Sequence, residues 1–419
     1  MSRHAGSSIT NALDYGLLMA SCWLAASPLL AEPRVAFVTS ERGNSIMSTW
    51  PSSDGLAGLD GADRVCQNLA TAAGLDQPED FVAWLSDSTA DAYCRVHGLT
   101  GGMFDPQPCG QPELPTFAGP WLRTDGTPLM PSSAGMLPDG PMWVPLWHDE
   151  NGDLVLEQGV FTGSNVIGPN EIFCDDWMTT SGTVITGSTF ATTLAWNQNL
   201  VVFCSELHPI YCFQTGAGDP VPAPNSSGRT MFLTASRGTA NLSSWPGAGG
   251  LTGRAAADAI CQSDATAGGL ANPDSYRAWL SDSLMDARDA IVGDGAWVRL
   301  DGQLIAANNA DLLDGMLEAP INVRSDGVYN ANAVMWTGTN EDGTAAPARC
   351  SDWTSSSAAE LAEAGTANHA NGWWTRFPPS DLPCDLLGRL YCLSNVDLSA
   401  LFDDGFESGD TTAWSSTTP

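Results

Sequence analysis

The oxygen ligands of this chain offer calcium chemistry at two places. Asp149-x-Asn151-x-Asp153 alternates side-chain oxygens as calcium loops do, but no Glu follows at the spacing of a bidentate ligand. Asn151-Gly152 also reads as a plain hairpin turn. Asn340-Glu341-Asp342-Gly343 forms a second acidic group, and Asp352 joins it only if the loop folds back toward Cys350. Calcium is therefore the one possible cofactor, and no other is implied. Trp373 and Trp374 are adjacent in a Gly/Asn-rich loop with no close match elsewhere in the chain. Neighbouring residues do not easily share one core, so two readings stand: packing under the loop, or one ring outward as a stacking platform for a sugar or protein partner.

Catalytic patterns are missing. There is no Gly-x-Ser-x-Gly elbow and no His-Glu-x-x-His helix. His97, His148, His208 and His369 follow no pattern that offers a base to a nucleophile. All 16 basic residues are Arg, which excludes a lysine Schiff base or a phosphate-loop lysine. Gly247-Ala248-Gly249-Gly250 fails the dinucleotide spacing. Against 48 acidic residues, the 419-residue chain carries a formal charge of -32. That charge repels phosphate backbones, so no nucleic-acid partner is expected.

Residues 1–31 read as a signal peptide: Arg3 and His4, an apolar run from Leu17 to Leu30, and a small residue at Ala31. The run is too short to span a bilayer comfortably, and no other stretch qualifies, so no membrane span is expected. Cys22 leaves with the leader. Of 11 cysteines ten remain, and an even set in an exported protein reads as disulfides.

What positions these residues is a module present twice. Ala62-Asp63-Arg64-Val65-Cys66-Gln67 matches Ala257-Asp258-Ala259-Ile260-Cys261-Gln262. Ala83 to Ser88 matches Ala278 to Ser283, and Trp121 to Gly126 matches Trp297 to Gly302. Phe161 to Asn165 matches Trp336 to Asn340, Cys174 to Trp177 matches Cys350 to Trp353, and Ile210-Tyr211-Cys212 matches Leu390-Tyr391-Cys392. Val35 to Ser40 predicts a strand. Ala62, Val65, Cys66, Leu69 and Ala73 share one helical face, as do Ala257, Ile260, Cys261 and Ala265. Tyr276 to Leu280 alternates as a strand, and Ser283-x-x-Asp286 predicts a capping box ahead of a short helix to Ile291. Trp84 and Trp279 are expected in the core, and Trp177 and Trp353 against a disulfide. The fold class is α+β, loop-rich and in need of staples.

Each copy carries four matched cysteines, which allow three pairings that spacing does not separate. Their order on helix, middle loop, late loop and last strand resembles the C-type lectin-like fold. The runs Gly250-Leu251-Thr252-Gly253, Ala257 to Gln262, Tyr276 to Ser281, Trp336 to Asn340, Cys350 to Thr354 and Leu390-Tyr391-Cys392 resemble the bacterial secreted family related to endostatin, of unassigned function, which includes leptospiral endostatin-like proteins. The resemblance implies nested bonds: Cys66–Cys212 around Cys174–Cys204, and Cys261–Cys392 around Cys350–Cys384. Cys94 and Cys109, in an insertion of the first copy, are expected to pair locally. The implied organisation is a first lectin-like domain at 32–213, a linker at 214–229, a second at 230–395 and an acidic tail at 396–419.

The resemblance implies an exported, non-catalytic binding or adhesion protein. Its partner would be a glycan, a matrix component or a surface protein, met through lectin-like loops at the cell surface, in the periplasm or outside the cell. A structural envelope role and an enzyme on a lectin-like fold are the alternatives. The basic face and histidine metal site of endostatin have no counterpart here, and neither do the calcium motifs of sugar-binding lectins.

Overall fold

The strand that opens each copy pairs with the strand that closes it. In the computed structural model, which describes residues 32–165, 173–378 and 381–396, β1 (Arg34–Val38) lies antiparallel to β8 (Tyr211–Gln214) and parallel to β3 (Trp121–Arg123). Ala36, Phe37 and Val38 are buried on successive, opposite faces, which makes β1 a central strand covered on both sides. With β2 (Phe81–Ala83) and β4 (Pro128–Met130), the sheet order is β2-β8-β1-β3-β4. A three-stranded sheet, β5 (Val160–Phe161), β6 (Thr183–Gly187) and β7 (Leu200–Phe203), completes the copy.

The second copy repeats this plan. Its five-stranded sheet runs β10-β16-β9-β11-β12, from β9 (Arg229–Leu233), β10 (Tyr276–Ala278), β11 (Trp297–Arg299), β12 (Leu304–Ala306) and β16 (Tyr391–Ser394). Its small sheet joins β13 (Val334–Trp336), β14 (Leu361–Thr366) and β15 (Asp381–Pro383). The fold is α+β. Residues 1–31, expected to be a signal peptide, and residues 397–419 of the expected acidic tail lie outside the described residues. Among the described residues, no helix is long and apolar enough to cross a membrane.

One long helix per copy covers the sheet. Gly58–Ala73 turns Ala62, Val65, Cys66 and Ala70 inward and ends at Gly74, whose φ of 72° lets its N–H cap the carbonyls of Ala70 and Thr71. Gly253–Ala267 does the same with Ala257, Ile260, Cys261 and Ala265. Both inward cysteines reach the last strand, forming Cys66–Cys212 and Cys261–Cys392. The inner bonds are Cys174–Cys204 and Cys350–Cys384, and Cys94–Cys109 closes the insertion. The outer bonds span 146 and 131 residues, and cross-links of that length remove about 5 kcal/mol of unfolded-chain entropy each.

Most residues that the copies share build this frame. The Trp177 indole N–H donates to Ser86 O at 2.9 Å, and Trp353 donates to Ser281 O at 2.7 Å. Asp176 accepts from Ser88 N and Oγ, and Asp352 accepts from Ser283 N and Oγ. These bonds hold a left-handed turn: φ is 47°, 52° and 64° at Asp175, Asp176 and Trp177, and 49°, 52°, 51° and 67° from Cys350 to Trp353. Such a conformation costs roughly 1–2 kcal/mol per residue, so it persists only where neighbours enforce it. Gly163 and Gly338 complete the frame. Their φ values are 59° and 57°, and a Cβ there would lie 2.7 and 2.6 Å from the Trp177 and Trp353 rings.

Two local expectations are corrected. Ser283 and Asp286 form no capping box. The Ser283 hydroxyl is spent on Asp352, the Asp286 carboxylate accepts from Ala345 N, and the helix is a single 3-10 turn at Ala287–Ala290. The stretch around Trp374 also has a first-copy match. Gly187 and Gly365 sit in equivalent strands, each with a tryptophan carbonyl, Trp196 O and Trp374 O, where a Cβ would stand, at 1.7 and 2.0 Å.

A candidate binding cleft between the two copies

Because Trp196 and Trp374 follow their glycines at the same spacing, the segments between them are equivalent. Both rings are fully buried. Trp196 packs on Trp84 and Tyr211 at 4.8 and 5.6 Å, and Trp374 packs on Trp279 and Tyr391 at 5.0 and 5.5 Å. Trp374 is thus a core residue and presents no free ring to a ligand. Trp373 is half-buried, with its ring 5.0 Å from His369 and 4.9 Å from Phe377.

The two equivalent segments meet each other. Ala191 and His369 form an antiparallel bridge, in which Thr192 N donates to Asn368 O at 3.0 Å and Ala370 N donates to Phe190 O at 2.8 Å. Each partner is the positional counterpart of the other, so the contact has local two-fold character, as in a homodimer. Side chains reinforce it. Asn322 Nδ2 donates to Thr192 Oγ1 at 2.9 Å, Thr193 Oγ1 to Ala331 O at 3.1 Å, and Arg299 Nη2 to Trp143 O at 3.0 Å. Trp147 of the first copy packs into the second copy's core, and Ala319 of the second into the first's.

Beside this contact lies a cleft of about 340 Å³ lined from both copies. Its polar groups are Gln198 and Asn199 from the first copy and Asn332, Thr366, Asn368 and His369 from the second. Leu194, Phe377, Leu382 and Leu386 supply an apolar side. Among the described residues, no Asp, Glu or Arg lines it, on a chain with 48 acidic residues. Two other cavities differ. One of about 400 Å³ holds Arg123, Asp125, Asp311, Asp314 and Glu318, and one of about 240 Å³ holds Asp87, Asp91 and Asp105.

His369 sets the chemistry of the cleft. It is 2% exposed, and burial pushes its pKa down to about 3, so the imidazole is neutral at ordinary pH. Nδ1 lies 3.0 Å from Asn368 Oδ1, an acceptor, which assigns the ring proton to Nδ1. Nε2 is then a lone-pair acceptor, and it is buried without a hydrogen-bond partner. The Gln198 Oε1 atom is in the same condition. Asn368 is held by Thr366 Oγ1 on its oxygen at 2.8 Å and by Ala331 O on its amide at 3.2 Å. The arrangement supplies fixed neutral amides, two buried acceptors awaiting donors, and an apolar wall. With so low a pKa, His369 is a weak base and does not suit proton abstraction at neutral pH.

The other sequence-predicted residues lie apart. Asp149 Oδ1 accepts from Asn151 N and Asp153 N, closing the hairpin turn that bridges His148 and Leu154. Asp342 Oδ1 accepts from Thr344 N and Oγ1, and Asn340 Nδ2 donates to Thr344 Oγ1 and Ala345 O. Asp352 bonds Ser283 and Arg349 instead, and these bonds hold its carboxyl below the ordinary range. Among the described residues, no group of three or more His, Cys, Asp or Glu side chains could hold a metal ion. One pairing was missed in the sequence. His97 Nε2 lies 3.0 Å from Ser133 Oγ, but Ser133 is fully buried and His97 Nδ1 is tied to Tyr93 O, so the pair braces the core.

Residues 246–370 match the family described as "Protein of unknown function (DUF1554)". The match falls within the second copy and includes Asn332, Thr366, Asn368 and His369 of the cleft. No curated protein matches the chain.

Proposed function

We propose that this is an exported, non-catalytic binding protein made of two endostatin-related, C-type lectin-like modules. It recognises a glycan, a matrix component or a surface protein, and the cleft between the copies is its recognition site. The lectin-like reading is supported by paired first and last strands, a helix cross-linked to the last strand, and an inner disulfide across the late loops. Export is supported by five disulfides, which persist outside the reducing cytoplasm.

One observation carries the placement of the site. The copies share their frame and differ where they meet: Asn368 and His369 line the cleft, whereas their first-copy counterparts are Phe190 and Ala191. The cleft needs both copies and uses the residues by which they diverge. A glycan and matrix-protein array, run with and without calcium, tests this reading. It predicts retained ligands in both conditions, because the described residues of the cleft include no carboxylate for a cation. Failure to retain any ligand removes the binding role and leaves the structural envelope role as the alternative.

A further inference from the structure

We propose that the cleft takes an uncharged, hydroxyl-bearing sugar ring, whose hydroxyls donate to His369 Nε2 and Gln198 Oε1 while one ring face lies against the apolar wall. This deepens the recognition reading above and rests on it. Three features point the same way. The first is the pair of buried acceptors without partners. A buried polar atom left unpaired costs about 1–3 kcal/mol, and these two belong to residues that line the cleft. Both atoms need a donor, and a sugar hydroxyl is a compact neutral donor that also accepts.

The second feature is charge. Among the described residues no Asp, Glu or Arg lines the cleft, and its imidazole is neutral. A uronate or sulfate would enter a chain of formal charge -32 without a cation to meet it. An amino sugar would leave water without a carboxylate partner. Discrimination by an unpaired buried charge exceeds what an apolar wall alone achieves. The third feature is the mixed lining. Leu194, Phe377, Leu382 and Leu386 suit the C–H face of a pyranose; Asn199 Nδ2 is bonded to Gln158 O and Asn332 Oδ1 accepts from Thr366 Oγ1, which leaves Asn199 Oδ1 and Asn332 Nδ2 to meet further hydroxyls. The Asn368 oxygen, already used twice, holds the imidazole in the tautomer that presents a lone pair.

The test titrates the full chain with methyl glycosides of neutral hexoses, and with the uronic-acid and amino-sugar forms of the same rings. Tryptophan fluorescence is the readout, since the Trp373 ring lies 5.0 Å from His369. Saturable binding of at least one neutral glycoside is expected, with its charged forms at least about tenfold weaker, near 1.4 kcal/mol. Gln198→Leu, at a half-buried position, and His369→Phe, in the core, each remove one acceptor and are expected to weaken binding about tenfold. Gln198→Leu is expected to do so with no loss of melting temperature, since it also removes a buried unpaired acceptor, which keeps the test valid if His369→Phe folds poorly. Equal affinity for a uronate, or wild-type affinity in Gln198→Leu, overturns the assignment. An array-selected protein or anionic ligand that binds Gln198→Leu normally overturns the neutral-sugar inference and leaves the recognition role standing. Absence of every ligand removes both.

Discussion

Gly338→Ala should be among the most damaging single-methyl changes in this protein. The added Cβ would stand 2.6 Å from Trp353 Cζ2, 3.0 Å from Arg349 Cγ and 3.2 Å from Ser281 O. The indole cannot retreat, because its N–H is bonded to Ser281 O and its turn is anchored by Cys350–Cys384. Alanine at a φ of 57° costs about 1–2 kcal/mol, and overpacking a fixed ring adds about 1–3 kcal/mol. The expected loss is therefore about 2–5 kcal/mol. Gly249→Ala isolates the backbone part, since its φ is 63° but no atom lies within 4 Å of the new methyl, and about 1–2 kcal/mol is expected there. Gly163→Ala, whose methyl meets Trp177 at 2.7 Å, should match Gly338→Ala. Urea unfolding of the three variants, compared by midpoint at constant slope, measures these differences. If Gly338→Ala falls no further than Gly249→Ala, the tryptophan edge is not what demands the glycine, and the account of the shared frame fails.

Other outcomes follow from burial and charge. Trp374→Ala should cost about 3–5 kcal/mol and Trp373→Ala about 1–2 kcal/mol in the same urea assay, because only the first ring is wholly buried. Removing Cys261–Cys392 by paired Ser substitution should lower stability by about 5 kcal/mol in chemical unfolding, the largest effect in the second copy. Burial holds the folded pKa of His369 at about 3 against roughly 6.5 unfolded, so its neutral burial is uncosted above pH 6.5. Stability should fall as pH drops from 6.5 toward 3, and His369→Phe should flatten that slope in pH-dependent melting. Asp125 behaves differently. Burial raises its pKa, but the Arg123 hydrogen bond and charge outweigh it and hold the carboxyl at about 2. Its contribution, about 1 kcal/mol after solvent screening, is present above pH 4 and lost as pH falls toward 2. Acid unfolding of Asp125→Asn should lack that last increment.

Much of the frame was legible because it is written in side chains and written twice. Helical spacing placed Cys66 and Cys261 inward, and the repeat aligned Trp177 with Trp353. The choice among three cysteine pairings was not legible from spacing, because it depends on the first and last strands lying side by side. The meeting of the copies was hidden for a different reason. Its central bonds run from backbone to backbone at Ala191 and His369, and such bonds leave no residue signature. The available signal was the equal spacing of Gly187 to Trp196 and Gly365 to Trp374, which aligns Trp196 with Trp374 and so marks Trp374 as core. Adjacent tryptophans read as a surface platform, but the 3-10 turn at Gly372–Trp374 sends one ring into the core and sets the other on His369. The acidic groups of Asp149 and Asp342 resemble metal loops because turn-forming carboxylates use the same alternation to accept backbone N–H groups.

Hydrogen exchange across the whole chain, with and without a ligand retained on the array, tests most directly where recognition occurs. Ligand-induced protection at residues 194–199 and 365–369 together is the predicted footprint, since both copies line the cleft. Protection confined to one copy, or to the acidic cavity at residues 87–105, would contradict it.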